Sequence, residues 1–217
     1  MRALSIASTG MLAQQTNVEV IANNLANMNT TGFKQQRAEF ADLLYQNIQT
    51  PGSQTSDQGT YAPNGIQLGA GVRTAAVYRI TTQGDLKSTG NPYDVSIQGP
   101  GFFRVQQADG TDAYTRSGNF SLSPQGQLEL TRFPNESGLN AIGNNLYLET
   151  PGSGSPQAGV PGSAGYGTLQ QGYLETSNVN SVDEITALIT AQRAYEMNSK
   201  VVTAADQMLQ NTARLGS

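Results

Sequence analysis

The 217-residue sequence contains no cysteine, no histidine and no tryptophan. Without cysteine and histidine, the chain cannot build the usual zinc, copper, haem or iron–sulfur ligand sets. The same absence excludes Ser-His-Asp and Cys-His nucleophilic catalysis, and no disulfide can form. The composition therefore predicts a protein that uses no metal and no cofactor and is not an enzyme.

Charged residues are also scarce, at 13% of the chain against about 25% in an average protein. The 12 Lys and Arg residues are outnumbered by 16 Asp and Glu residues, so the net charge is −4. A mildly acidic chain without basic clusters is not expected to bind nucleic acid, because that binding depends on cations that neutralise phosphates. No run approaches 18 apolar residues and no cleavable signal peptide is visible, so we expect no membrane insertion.

What the chain does contain is neutral polar residues, 76 Asn, Gln, Ser and Thr in total, and a heptad pattern at each end. Near the N-terminus one row of the pattern is Leu4, Met11, Val18 and Leu25, and a second row, offset by three, is Ala7, Gln14, Ile21 and Met28. This spacing predicts an amphipathic helix with a coiled-coil-like seam. Because Gly10 costs a helix interior roughly 1 kcal/mol, we expect the helix to need a partner.

The C-terminal segment has the same spacing, with Leu188, Tyr195, Val202 and Leu209 in one row and Ile185 opening the other. Ser181 followed by Glu184 predicts a capping box, and the helix is expected over about 182–213. Thirty helical residues span roughly 45 Å, which is longer than a domain built from the rest of the chain. The seams therefore predict packing against other copies. The alternative is a helical hairpin that closes a single domain.

Between the ends, short strand-like runs at 72–80, 93–98, 102–106, 113–116 and 119–122 predict an antiparallel β domain. Two Gly- and Pro-rich segments flank it. The predicted fold class is α+β, with terminal helices paired as a coiled-coil-like inner domain and a loop and β domain inserted between them. The expected organisation is a helical inner domain at 1–45 and 172–217, an extended loop at 46–71, a β domain at 72–149 and an extended connector at 150–171.

The stretch ANNLANMNTTGFK, from Ala22 to Lys34, closes the first helix, because Asn favours side-chain turns and left-handed backbone and Gly32 supplies a position with φ > 0. It closely resembles the N-terminal signature of the flagellar rod, hook and hook-associated axial proteins of bacteria. The opening RALSIASTGM and the C-terminal run from GYLETSNVN to AADQML resemble the same family. The implied signature-turn residues are Asn23, Asn24, Asn27, Asn29, Gly32 and Phe33.

This resemblance implies a structural subunit that polymerises into a hollow helical drive shaft, which transmits torque from motor to hook and surrounds an export channel. The implied place is the basal body, where the rod crosses the periplasm, with export through the type III apparatus and no cleaved signal. The implied partners are sister subunits, adjacent rod proteins, the hook protein and the L- and P-ring proteins. The seam residues expected at subunit interfaces are Leu4, Met11, Val18, Ile21, Leu25, Met28, Ile185, Leu188, Tyr195, Val202 and Leu209.

Within the family, the segments RAEFADLLYQNIQTPGSQ and NGIQLGAGV are similar to distal-rod members. Those members are usually forty to fifty residues longer, and the shortfall falls near residues 128–131 of the β domain. Two alternatives stay open at this point. One is a proximal rod or hook protein of the same family, and the other is a β-scaffold polysaccharide-binding protein.

Overall fold

The structure, a computed structural model, describes residues 2–49, 65–120 and 129–215. The chain divides into two compact units. Unit 1 comprises Met1–Ile21, Ala38–Val77 and Thr186–Ser217, and unit 2 comprises Ala22–Arg37 and Tyr78–Ile185. Each unit therefore combines segments that are far apart in the sequence, so neither can be completed from one end of the chain alone.

Two long helices lie near the termini, α1 at Arg2–Ala26 and α2 at Ser181–Leu215. Both predicted helices are confirmed. Asp183 lies in the first turn of α2 and Arg214 in its last, where their charges complement the helix dipole. The coiled-coil pairing of the two helices stays a prediction.

The predicted Ser181–Glu184 capping box is wrong. Asn180 is the N-cap of α2, because its side-chain oxygen accepts the Val182 N–H at 3.0 Å and its carbonyl accepts the Glu184 N–H at 3.0 Å. The Glu184 side chain is used elsewhere, since it accepts hydrogen bonds from Asn24 and Gln35. A capping box is a local signal, and here longer-range partners take the glutamate.

Within the described residues, short strands fill the chain between the helices. They are β1 Gln36–Asp42, β2 Tyr45–Gln49, β3 Ile66–Gly69, β4 Val72–Arg79, β5 Leu86–Ser88, β6 Val95–Gln98, β7 Phe102–Gln106, β8 Asp112–Thr115, β9 Leu130–Arg132, β10 Asn140–Gly143, β11 Leu146–Leu148, β12 Gln157–Gly159, β13 Thr168–Gln171 and β14 Tyr173–Glu175. A 3₁₀ turn spans Glu136–Gly138. The strands predicted at 72–80, 102–106 and 113–116 are confirmed to within one residue. Part of the run at 119–122 lies outside the described residues.

The largest sheet has the strand order β10-β11-β8-β7-β9-β12. Its neighbours pair antiparallel, for example Phe103 with Thr115 between β7 and β8, and Phe102 with Thr131 between β7 and β9. Four two-stranded pairs accompany it: β1 with β4, β2 with β3, β5 with β14 and β6 with β13. The expected antiparallel arrangement of the strand region is therefore confirmed.

Both faces of the sheet are covered by apolar side chains. Successive residues of a strand point to opposite faces, so Phe102 and Phe103 of β7 enter two different clusters. One cluster contains Phe102, Tyr114, Phe133, Leu139 and Tyr147, and the other contains Ile97, Phe103 and Leu130 with the partly buried Val95, Phe120, Tyr166 and Leu169. The aromatic rings meet edge to face, as Tyr114 and Phe133 do at 4.7 Å between centroids.

The described parts of the two flanking segments contain short strands that their composition does not predict. The ends of the expected 46–71 loop form the β2–β3 ribbon, while residues 50–64 lie outside the described residues. The expected 150–171 connector contributes β12 to the large sheet and pairs β13 with β6. Strands of three to five residues within Gly- and Pro-rich segments carry little local signal, because pairing with distant strands creates them.

Candidate functional site

The signature turn connects α1 to β1. The Asn27 side-chain amide donates to the Asn23 carbonyl at 2.9 Å, and its oxygen accepts from the Thr30 hydroxyl at 3.1 Å. Gly32 has a φ of +67°, and a Cβ there would lie 2.9 Å from backbone atoms of Arg116. The left-handed conformation predicted for Gly32 is confirmed. The signature asparagines do not adopt this conformation, since the non-glycine residues with positive φ in the described chain are Asn144 and Asn145. Among them, Asn24 and Asn27 form side-chain hydrogen bonds.

Asn24 is the most buried of these asparagines, with 1% of its surface exposed. Its side chain exchanges two hydrogen bonds of 2.8 Å with the backbone of Gln36, as a neighbouring strand would. It also donates to Glu184 at 3.1 Å, and the Gln35 amide donates to the same carboxylate oxygen at 2.6 Å. One side chain thus fixes the end of α1, the start of β1 and the first turn of α2.

Asn178 plays a matching part just before α2. Its oxygen accepts the Gln35 N–H at 2.7 Å, and its amide donates to the carbonyls of Ile80 and Thr82 at 2.9 and 3.0 Å. Of the other signature residues, Phe33 is buried, whereas Asn23 and Asn29 are exposed. The junction between the terminal segments and the strand region is therefore polar and closely hydrogen-bonded.

The predicted seam of α1 is only partly covered within the chain. Ile21 is buried, while Leu4, Met11, Val18 and Leu25 are half-buried. Met28 lies beyond the end of the helix and is 38% exposed.

The predicted seam of α2 is more open. Leu188 and Val202 are half-buried, but Ile185, Tyr195 and Leu209 have exposed fractions of 46%, 44% and 42%. The seam residues therefore leave much of their apolar surface uncovered in a single chain.

The row of α2 that is covered consists of small or polar residues. Glu184, Ala191 and Ala205 are buried and Asn198 is half-buried, and these four positions are seven residues apart. In unit 1 Asn198 lies against Gly10 of α1, where an added Cβ would sit 2.8 Å from its Nδ2 atom. Gly10 was expected only to weaken the helix. The sequence signal for its close contact with α2 is the seven-residue spacing of Ala191, Asn198 and Ala205. A pattern of large apolar residues does not include these small and polar positions.

Thr9, next to Gly10, forms a second close contact within unit 1. Its hydroxyl donates to the Ile6 carbonyl at 2.7 Å and accepts the Val72 N–H at 3.3 Å. Gly71 has a φ of +125°, and a Cβ there would lie 2.2 Å from that hydroxyl. The pair Thr9-Gly10 therefore holds the start of β4 and one position of α2 close to α1.

Besides Tyr195 and Leu209 of the seam, large apolar residues of α2 are exposed on two other sides of the helix. Near its start Val182, Ile185 and Ile189 follow an i, i+3, i+7 spacing, and we call them face A. Further along, Met197, Val201 and Met208 follow an i, i+4, i+11 spacing, and we call them face B. At 3.6 residues per turn, the two faces lie roughly 110° apart around the axis and roughly 25 Å apart along it.

The described residues contain no candidate metal site and no candidate membrane span. No group of three or more acidic, histidine or cysteine side chains there could hold a metal ion. Neither helix is apolar enough over 18 residues to be a candidate membrane span.

Three protein families match segments of the chain. Residues 4–34 match the family described as flagella basal body rod protein, and residues 96–132 match the D1 domain of the flagellar hook protein FlgE/F/G. Residues 170–215 match the C-terminal family of flagellar basal body rod FlgEFG proteins. The first match ends with the signature turn, and the last includes β14 and α2.

Individual relatives cover all or nearly all of the chain. A flagellar basal-body rod protein FlgG from Caulobacter vibrioides is 48% identical, with 100% of both chains covered. The FlgG of Agrobacterium fabrum is 46% identical, with 96% of this chain and 97% of that protein covered. FlgF of Caulobacter vibrioides, also described as a flagellar basal-body rod protein, is 31% identical over 98% of this chain and 94% of its own.

The alignment with the Caulobacter FlgG shows that this chain is shorter than that relative. It is 262 positions long and covers all 217 residues of this chain, so 45 positions have no residue here. A shortfall of this size was expected from the resemblance. Its place near residues 128–131 stays a prediction.

Proposed function

The chain belongs to the flagellar basal-body rod protein family, and we propose that it is the distal-rod subunit of a hollow helical drive shaft. The observation that carries this proposal is the similarity to FlgG over the whole chain, 48% against 31% for FlgF of the same organism. This difference favours the distal rod over the proximal rod. A polysaccharide-binding scaffold has no comparable support.

The proposed subunit interfaces are the predicted seam residues together with faces A and B of α2. An open helical tube needs heterologous interfaces, in which one patch of a subunit meets a different patch of its neighbour. Two apolar faces on different sides and at different heights of one helix meet this requirement. Fully burying one large apolar side chain contributes about 1.5–3 kcal/mol, so covering each face would contribute favourably to association.

The polar surfaces of the helices are proposed to line the export channel. Exposed positions such as Ser5, Ser8 and Gln15 of α1 carry no charge, so they would neither trap a charged segment of a passing chain nor attract an apolar one. The alternative is that these positions meet solvent or neighbouring subunits. Lysine or aspartate scanning of these positions tests the proposal, and unchanged export and motility would contradict it.

The β2–β3 ribbon is proposed to make contacts along the outside of the shaft. A two-stranded ribbon is marginally stable alone, and Leu44, Tyr45, Ile48, Ile66 and Leu68 on it are all 46% exposed or more. Changes in the 46–71 segment should therefore alter shaft stiffness or length more than they alter folding of the monomer. A shaft with unchanged bending after deletion of the segment would contradict this.

The surroundings of the shaft follow from the same proposal. We expect the rod to cross the periplasm inside the L- and P-rings, to join adjacent rod proteins and the hook protein, and to be exported through the type III apparatus without a cleaved signal. Purified basal bodies imaged at subunit resolution test the assignment. The chain should occupy the distal shaft, and finding it only in the proximal rod or hook would contradict it.

A further inference from the structure

Three charged side chains from distant segments meet inside unit 2. Lys34 ends the signature turn, Arg116 follows β8, and Glu175 ends β14, and their side chains are 4%, 6% and 0% exposed. The Lys34 amine lies 2.5 Å from Oε1 of Glu175, and the Arg116 Nε atom lies 3.3 Å from Oε2. We call this cluster the triad. It contains two cations and one anion, all nine-tenths or more buried.

Backbone groups also contact the triad, although the buried Oε2 atom of Glu175 accepts no hydrogen bond. Glu175 Oε1 also accepts the Gly84 N–H at 3.0 Å, and the Lys34 amine also donates to the Thr82 carbonyl at 2.8 Å. The Arg116 guanidinium donates to the carbonyls of Gly99 and Gly101, both at 2.8 Å. Glu175 therefore supplies a negative charge that both cations contact.

Stability does not explain such a cluster. The desolvation cost of buried charges is of the same size as their mutual attraction, so apolar replacement of a complete cluster is often neutral or stabilising. Burial lowers the pKa of Lys34 even though Glu175 opposes the shift, which shows that desolvation is the larger effect at the amine. Removing only the anion would instead leave two buried cations facing each other.

The ladder that sets the register of β14 is short. β14 pairs with β5 through three residue pairs, Tyr173 with Ser88, Leu174 with Lys87 and Glu175 with Leu86. Two backbone hydrogen bonds continue this ladder, from the Thr176 N–H to the Asp85 carbonyl at 2.8 Å and from the Thr89 N–H to the Gly172 carbonyl at 2.9 Å. A slip by one residue would turn every β14 side chain to the opposite face. Leu174 or Thr176 would then point to the position that Glu175 occupies, and both cations would lose their carboxylate.

We propose that the triad selects the register in which the C-terminal strand and the N-terminal signature turn join the strand region. Its charges admit one pairing of β14 with β5 and exclude the neighbouring ones. This pairing sets where α2 begins, because only five residues separate β14 from α2. The proposal concerns the fold of one subunit and does not depend on the distal-rod assignment.

Engineered disulfides test the proposal directly, because the chain has no cysteine of its own. Lys87→Cys with Leu174→Cys reports the observed register, and Lys87→Cys with Tyr173→Cys reports a slip by one. In the presence of the triad, only the first pair should crosslink. After Lys34→Met, Arg116→Met and Glu175→Leu together, both pairs should crosslink, with no loss of resistance to urea.

Single variants complete the test. Glu175→Gln alone should lower the folding equilibrium constant by about a hundredfold or more, because it leaves two buried cations without an anionic partner. A triple variant that keeps one register, or that loses as much stability as Glu175→Gln, would overturn the proposal. Should the triple variant not fold, Lys34→Met with Glu175→Leu leaves Arg116 on its two carbonyls and repeats the test. Failure of both variants to fold would show that the charges stabilise the fold, and would also overturn the proposal.

Discussion

The junction in unit 2 and the exposed faces of α2 differ in how far each is completed within one chain. At the junction, the buried Asn24 and Glu184 and the half-buried Asn178 find partners in other segments of the same molecule. On α2, apolar side chains such as Met197 and Met208 are more than half exposed. The comparison separates a region that builds the subunit from a region that, as we propose, joins subunits. Substitutions in the first should damage folding, and substitutions in the second should damage assembly.

The largest expected effect comes from close backbone contacts in unit 2. A Cβ on Gly118 would lie 1.6 Å from the Val95 carbonyl oxygen, which is backbone and cannot turn aside. We expect Gly118→Ala to lower the free energy of unfolding by about 3 kcal/mol or more, measured by urea denaturation. Gly152→Ala is the matched control, because its nearest neighbour would be a hydroxyl at 3.5 Å. Equal stability of the two variants would contradict the close approach of Gly118 to the Val95 carbonyl.

The next effect concerns the Asn24 network. Asn24→Ala removes three hydrogen bonds and leaves the buried Glu184 carboxylate with fewer partners. Since each unsatisfied buried group costs about 1–3 kcal/mol, we expect a loss of about 3 kcal/mol and faster amide exchange at Gln36. Asn23→Ala changes an exposed neighbour and should stay within about 0.5 kcal/mol of the wild type. Unchanged exchange at Gln36 would show that Asn24 does not hold the start of β1.

On face B we expect substitutions to weaken polymerisation strongly and to change the stability of the monomer little. Met197→Asp and Met208→Asp change side chains that are 61% and 62% exposed, so the free energy of unfolding should change by less than about 0.5 kcal/mol. In a polymer each would place an unpaired charge in an apolar contact, and the critical concentration should rise at least about tenfold by sedimentation. Thr203→Asp, on another exposed side of α2, is the control. Polymerisation of the methionine variants at the control's concentration would exclude face B from the interface.

A smaller effect of pH is expected in the sheet core of unit 2. Burial raises the pKa of Tyr147 above its ordinary 10.0, although the nearby Arg79 lowers it. The unfolded chain therefore releases this proton first. The resulting stabilisation is complete below about pH 10 and is lost as the pH rises through the folded pKa.

The free energy of unfolding should consequently fall less steeply above pH 10 in Tyr147→Phe than in the wild type. Tyr93→Phe, at a 54% exposed position, should follow the wild-type curve. Parallel curves for wild type and Tyr147→Phe would contradict burial of the hydroxyl.

Local periodicity was sufficient to find both helices and the strands near 72–80, 102–106 and 113–116, because heptad and alternating patterns are written in neighbouring residues. The left-handed conformation of Gly32 was also predictable from neighbouring residues, since a glycine that follows several asparagines is typical of such a turn. The apolar seams were a less complete guide to packing. Within one chain the covered row of α2 is carried by Ala191 and Ala205, which an apolar pattern ranks low.

Other features depend on contacts between distant segments and had no local signal. Asn180 rather than Ser181 caps α2, because Glu184 is taken by Asn24 and Gln35. β12 forms because it pairs with β9, which lies about 25 residues earlier in the sequence. The triad joins positions 34, 116 and 175, and no spacing rule connects them.

The central claim is that α2 is completed by sister subunits. Amide hydrogen exchange along α2 in the dilute monomer and in the polymer measures this most directly, because exchange reports local opening. Positions around Met197–Met208 should exchange quickly in the monomer and become protected by at least about a hundredfold on polymerisation, while Gln36 stays protected in both states. Full protection of α2 in a dilute monomer that does not polymerise would contradict the claim.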